Sequence, residues 1–161
     1  MKKLFITIVM VFMAMVGYAQ TTFNVRIGGG FFQTVYDASN YDYEIESNGG
    51  AALVLEANLP LGAKTNRFVF SPSLFFLYDL HDKININIPL HFGYKVSLGN
   101  GSLFVPKIGP MVGYSIYDEE VVYGPSTELS FELKRFVIAA NGYYDINNEC
   151  LGAFCTIGYK F

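Results

Sequence analysis

The sequence predicts an all-β chain, an eight-stranded antiparallel up-and-down transmembrane β-barrel, and three observations carry that expectation. Apolar and polar residues alternate with a period of two through nearly the whole chain after its first twenty residues. The connections between the alternating segments are long and short by turns. The polar face holds small residues and few charges, which suits a narrow interior better than a surface in water.

Residues 1–19 read as a signal peptide. Lys2 and Lys3 precede an apolar stretch from Leu4 to Val16, and Gly17, Tyr18 and Ala19 stand ahead of Gln20. That stretch falls short of the roughly 20 apolar residues of a spanning helix. Cleavage after Ala19 is expected, and the length of what remains fits one barrel domain, 20–161.

The first strand runs from Phe23 to Tyr36, with Phe23, Val25, Ile27 and Phe31 opposite Asn24, Arg26, Gly28 and Gly30. The second sets Ala51, Leu53, Leu55, Ala57 and Leu59 against Ala52, Val54, Glu56 and Asn58. The third (Phe68, Phe70, Pro72, Leu74, Phe76, Tyr78) and the fifth (Phe104, Pro106, Ile108, Pro110, Val112, Tyr114, Ile116) are noisier, because proline cannot donate to a sheet ladder. The fourth is the cleanest, with Ile84, Ile86, Ile88, Leu90, Phe92, Tyr94, Val96 and Leu98 all on one face. No helical period explains that row. The sixth sets Thr127, Leu129, Phe131 and Leu133 against Ser126, Glu128, Ser130 and Glu132. The seventh is Phe136 to Tyr144. The last sets Leu151, Ala153, Cys155, Ile157, Tyr159 and Phe161 against Gly152, Phe154, Thr156, Gly158 and Lys160.

After strands two, four and six come turns: Leu61 to Asn66, Gly99-Asn100-Gly101, and Lys134-Arg135. Asn-Gly is hairpin chemistry, and a two-residue link forces antiparallel pairing. The other connections hold eleven of the fourteen acids, among them Asp37, Asp42, Glu44, Glu46, Asp79, Asp82, Asp118 and Asp145. Lys64, Arg67, Lys134 and Arg135 fall at the opposite end. An even strand count brings both termini to the short-turn end, as in bacterial outer-membrane barrels.

A soluble lipocalin-like barrel shares this alternation, with its apolar face inside. The composition separates the two. Only 16% of residues are charged against 52% hydrophobic, with 12 Tyr and no Trp, whereas soluble domains carry about a quarter charged residues. The few charges on the polar face balance: Arg26, Lys95, Lys107 and Lys160 against Glu56, Glu128 and Glu132. Pointed inward they can pair across a filled polar lumen, which matters because an unpaired buried charge costs several kcal/mol, about 3 to 5 on loss of a partner. Aromatic residues gather near strand ends, Tyr36, Tyr78, Tyr114 and Tyr144 toward the acids and Phe23, Phe68, Tyr159 and Phe161 toward the turns. That is the girdle expected where lipid meets water.

Without Lys2 and Lys3 the chain has nine basic and fourteen acidic residues, a formal charge of −5, so nothing recommends a nucleic-acid partner. Cys150 and Cys155 lie in one strand, pointing to opposite faces and spaced well beyond the roughly 7 Å reach of a disulfide. No phosphate-binding, dinucleotide, zinc or calcium motif is present, and Gly28-Gly29-Gly30 lies within a strand rather than before a helix. Neither a cofactor nor a metal is expected.

With Ala19-Gln20, the glycine-rich first strand Val25 to Gly30 and the final strand Phe154 to Phe161, the chain resembles the outer membrane protein beta-barrel domain family. That family includes PorT-like proteins and is akin to small OmpA/OmpX-type, porin-like barrels. The resemblance implies the outer membrane of a Gram-negative bacterium, contact with its lipid, and an assembly signal in Ile157, Tyr159 and Phe161 read by the barrel assembly machinery. It departs in lacking a peptidoglycan-binding domain and in being short for a PorT-type component.

Eight strands leave an interior that side chains fill, so a diffusion pore is not expected. The expected role is non-enzymatic, in envelope structure or in surface contact through the acidic connections. The longest of these, Asp37 to Asn48, offers Tyr41, Asp42, Tyr43 and Glu44 as a contact surface to a partner that the residues do not name. A rival reading is a lipid-modifying hydrolase or acyltransferase, for which His81 between Asp79 and Asp82 is the one suggestive cluster. A third is the soluble lipid-binding barrel in the periplasm.

Overall fold

A computed structural model describes residues 21–38, 42–61, 67–80 and 83–161, with the backbone alone between 32 and 48. The expected leader, Tyr41 and His81 lie outside the described residues. The strands are β1 (Thr22–Ala38), β2 (Asp42–Leu61), β3 (Phe68–Asp79), β4 (Ile84–Tyr94), β5 (Val96–Gly99), β6 (Ser102–Ser115), β7 (Glu120–Leu133), β8 (Phe136–Asp145) and β9 (Cys150–Lys160). Lys95 parts β4 from β5, and the two are halves of one stave, so the barrel has eight. Every pairing is antiparallel between chain neighbours, and β1–β9 and β4–β6 pairings close the sheet. No described helix is long and apolar enough to cross a membrane.

Local chemistry explains the staves and their links. Asn100 and Gly101 both take positive φ, 52° and 76°, as a two-residue hairpin link requires. The β1–β9 seam is drawn close at Gly28, where an added Cβ would collide with the Cys155 carbonyl. Prolines leave their mark: the β3–β4 ladder lapses between Pro72↔Leu90 and Phe75↔Asn87, and the β4–β6 ladder between Pro89↔Met111 and Phe92↔Ile108. The third and fifth sequence segments are strands nonetheless, because in a closed barrel flanking rungs carry a missing donor.

The barrel is inside out relative to a soluble one. Ile27, Phe68, Phe92, Ile108, Leu129 and Phe136 stand on the outer face, each at least 49% exposed, while Arg26, Glu56 and Glu128 are completely buried inside. That arrangement excludes the lipocalin-like reading, in which the greasy face would be the core.

Two expectations require correction. The stretch from Asp37 to Asn48 is not a long loop: β1 and β2 stay paired out to Asp37↔Tyr43 and Ala38↔Asp42, leaving residues 39–41 as the connection. The acids disguise an alternation, since Tyr43 and Ile45 interleave with Asp42, Glu44 and Glu46. Nor is the lumen polar throughout. Ala52, Val54, Phe75, Leu77, Met111, Val122, Tyr143 and Phe154 form one buried cluster toward the acidic end. Phe75 and Leu77 were hidden in a run, Leu74 to Tyr78, that is apolar on both faces.

Candidate functional site: a cross-linked lumen beneath an acidic mouth

Four inward positions, each a few residues in from the short-turn end of its strand, bring charges to one level of the tube. Arg26 on β1 and Glu56 on β2 face Lys107 on β6 and Glu128 on β7. The Arg26 Nη2 donates to Glu56 Oε2 at 2.8 Å and to Glu128 Oε2 at 2.7 Å. The Lys107 Nζ donates to Glu56 Oε1 and Glu128 Oε1, both at 2.7 Å. Each cation therefore bridges both carboxylates, making a closed ring of zero net charge in which all four side chains are fully buried.

Neutral donors complete the ring. Asn24 Nδ2 and Asn58 Nδ2 donate to Glu56 Oε1 at 2.8 and 2.6 Å, and the Ser71 hydroxyl donates to Asn58 Oδ1 at 2.6 Å. Such neutral donors satisfy lone pairs that a buried carboxylate would otherwise leave bare. They carry no signal in the sequence beyond their parity on the polar face.

The remaining three sequence-nominated charges lie nearer the turns. Lys160 donates to Glu132 at 2.5 Å across β8, at a half-open position. Lys95, half-buried at the break between β4 and β5, forms no ion pair among the described residues, and its backbone N–H donates to the Arg67 carbonyl at 2.7 Å. His91 points into the lumen and meets the Ser126 hydroxyl at 2.8 Å, packed near Phe75.

Above the ring sits the apolar plug. Phe75 and Phe154 meet edge to face, 5.3 Å between centroids, an arrangement aromatic pairs favour. The Tyr143 ring occupies the space beside Gly152, where even a methyl group would strike it.

Beyond the plug the barrel opens into a vestibule of about 200 Å³, bounded by Asp79, Lys83, Asp118, Glu120, Tyr143 and Asp145. Several of these acids hold turns. Asp145 accepts from the backbone N–H groups of Tyr123 and Asn147 and from Asn148 Nδ2, and Asp118 accepts from the Ser115 hydroxyl. Lys83 reaches Asp118 at 3.3 Å. Among the described residues no group of three or more His, Cys, Asp or Glu side chains is placed to hold a metal.

Asp42, Tyr43 and Glu44 fall on the outermost part of β2. Ile157 and Tyr159 lie on the outer face of β9, where Tyr159 packs against Phe136 and Phe161.

No protein-family model and no curated protein matches this chain. Solved structures do. Ail, the attachment invasion locus protein of Yersinia pestis, is 14% identical with a TM-score of 0.52, over 87% of this chain and 98% of its own. Neisserial surface protein A is 9% identical with a TM-score of 0.57, over 86% and 95%. A de novo designed transmembrane β-barrel is 14% identical with a TM-score of 0.50, over 87% and 95%. The chain thus has the closed eight-stranded antiparallel fold of small transmembrane barrels.

Proposed function

We propose that this chain is a non-enzymatic barrel of the outer membrane whose work is contact at the acidic end, the filled stave ring serving as its anchor. The observation that carries the reading is the unequal length of the ladders. β1 pairs β9 only to Thr34↔Cys150, and β2 pairs β3 only to Gly50↔Asp79, yet β1 and β2 pair with each other eight residues further along β2, to Asp42.

The outer part of this hairpin therefore offers two edges without a ladder partner among the described residues. An unpaired edge is a template for an incoming strand, and proteins normally blunt or cover it. Asp37, Asp42, Glu44 and Glu46 make the segment acidic, which favours a basic or cation-bridged surface. Ail and Neisserial surface protein A carry names that speak of attachment and of the surface; at their low identity they support the fold, and the contact role rests on the hairpin.

A lumen blocked by an ion ring and an aromatic plug supports an anchor rather than a channel. The lipid-modifying alternative rests on His81 and Asp82, which lie outside the described residues. Ile157 and Tyr159 on the outer face of the last strand, with Phe161 just beyond its end, suit a signal to the barrel assembly machinery.

The test compares cells carrying the full chain with cells carrying a version in which residues 36–44 are replaced by Asn-Gly, which keeps Val35 opposite Ile45. Both should pellet with outer membranes, resist a carbonate wash and run faster unboiled than boiled. Adhesion and cell–cell aggregation should drop in the shortened version alone. Equal adhesion by both would leave the barrel only its envelope role, and release by carbonate would remove the membrane assignment.

A further inference from the structure

Two tripeptides recur in the chain: Arg-Phe-Val at 67–69 and 135–137, and Gly-Tyr-Lys at 93–95 and 158–160. The fold pairs them the same way twice. On β3 and β4, Phe68 lies opposite Tyr94 and Val69 opposite Gly93. On β8 and β9, Phe136 lies opposite Tyr159 and Val137 opposite Gly158.

The resulting contacts also match. Arg67 Nη1 donates to the Tyr94 hydroxyl at 3.2 Å, and Arg135 Nη1 donates to the Tyr159 hydroxyl at 2.9 Å. Phe68 meets Tyr94 edge to face at 5.1 Å, and Phe136 meets Tyr159 edge to face at 5.9 Å. In each copy the lysine N–H donates to the arginine carbonyl at 2.7 Å. Around the closed sheet, β2 and β1 separate the copies on one side and β7 and β6 on the other. The two units are diametrically opposed at the short-turn rim.

Each unit is an exposed guanidinium held by a phenol at the edge of an outward aromatic pair. Only one of its N–H groups is engaged by that phenol, which leaves the rest of a planar donor fork whose geometry matches phosphate oxygens. Tyrosine and phenylalanine at a strand end mark the level of the lipid headgroups. Cationic side chains prevail around the clamps: Lys134 adds to Arg135, while Glu132, the one acidic side chain among the described residues of this rim, is buried and held by Lys160.

We propose that these two Arg-Tyr-Phe clamps are paired sites for the headgroup phosphate of an anionic phospholipid, one on each side of the barrel, in the leaflet at the short-turn end. A zwitterionic headgroup brings its own ammonium to a cationic rim and gains less there. The tyrosine hydroxyl acts as a positioning group, fixing the guanidinium at headgroup depth. The proposal rests on the membrane-embedded reading and concerns the end of the barrel opposite the hairpin.

The test is native mass spectrometry of the detergent-folded full chain titrated with phosphatidylglycerol, with phosphatidylcholine of the same acyl chains as comparator. Two phosphatidylglycerols should be retained. Arg67→Gln or Arg135→Gln should each leave one, and the double variant none, while Lys83→Gln at the far end should leave both. Unchanged heat-modifiable mobility establishes that each variant is folded. If an arginine variant does not fold, Tyr94→Phe and Tyr159→Phe should each weaken retention at one site by about fivefold, the order of one lost positioning hydrogen bond.

Equal retention of the two lipids, or two phosphatidylglycerols on the folded double variant or on both tyrosine variants at unchanged strength, would overturn the clamps. So would an equal loss in Lys83→Gln, because net charge would then account for it. A chain that does not float with vesicles defeats the embedding reading instead, whereas flotation without headgroup preference defeats only this one.

Discussion

The two halves of the lumen are filled by opposite chemistry. Toward the short turns, Arg26, Glu56, Lys107 and Glu128 close a ring of four buried charges. Toward the acidic mouth, Val54, Phe75, Leu77, Met111 and Phe154 fill the same tube with apolar volume. The plug depends on size: a lost methylene leaves a cavity and a proportionate penalty. The ring depends on partners: losing one carboxylate leaves two buried cations to share the other.

That contrast orders the expected effects of mutation. Glu128→Leu leaves Arg26 and Lys107 sharing Glu56 alone and should cost about 3–5 kcal/mol, the penalty for breaking a buried pair. Urea unfolding of the barrel in vesicles, followed by heat-modifiable mobility, reads it, and a loss below about 1 kcal/mol would mean that the ring is solvated. Leu77→Ala in the plug should cost about 2–3 kcal/mol by the same assay.

Replacing the whole ring, with Arg26→Met, Glu56→Leu, Lys107→Met and Glu128→Leu together, should bring the barrel back to within about 2 kcal/mol of the parent, because no charge is left without a partner. A quadruple variant as unstable as Glu128→Leu alone would mean that packing volume, not pairing, holds this level of the tube. The smallest effect belongs to the rim. Glu132→Gln removes a pair whose lysine side chain is 20% exposed and can turn to water, and it should cost less than about 1 kcal/mol and fade with added salt. The ring, shielded from ions, should be indifferent to salt.

The ring was legible in the sequence because parity alone isolates its members. Arg26, Glu56, Lys107 and Glu128 are charges on a face that is mostly Gly, Ser, Asn and Ala around them, and a period of two assigns that face without knowledge of the partner strands. Which charge meets which was not legible, since Arg26 and Glu128 lie 102 residues apart and meet only because closure sets β1 and β2 across from β6 and β7. The plug was missed where alternation fails, as at Phe75-Phe76, which places an aromatic ring on each face. The outer half of the β1–β2 hairpin was missed because Asp42, Glu44 and Glu46 have the composition of a loop, while strand pairing needs only that the backbone extend.

Cys155 offers the most direct measurement of which face meets lipid, since it is native and exposed on the outer wall of β9, whereas Cys150 sits at the vestibule. In membranes carrying the Cys150→Ser variant, a membrane-impermeant maleimide should leave Cys155 unlabelled until the barrel is boiled in detergent. In membranes carrying Cys155→Ser, Cys150 should be labelled without denaturation. Rapid labelling of Cys155 in intact membranes would put that wall in water and contradict the inside-out barrel on which the anchor, the ring and the clamps all depend.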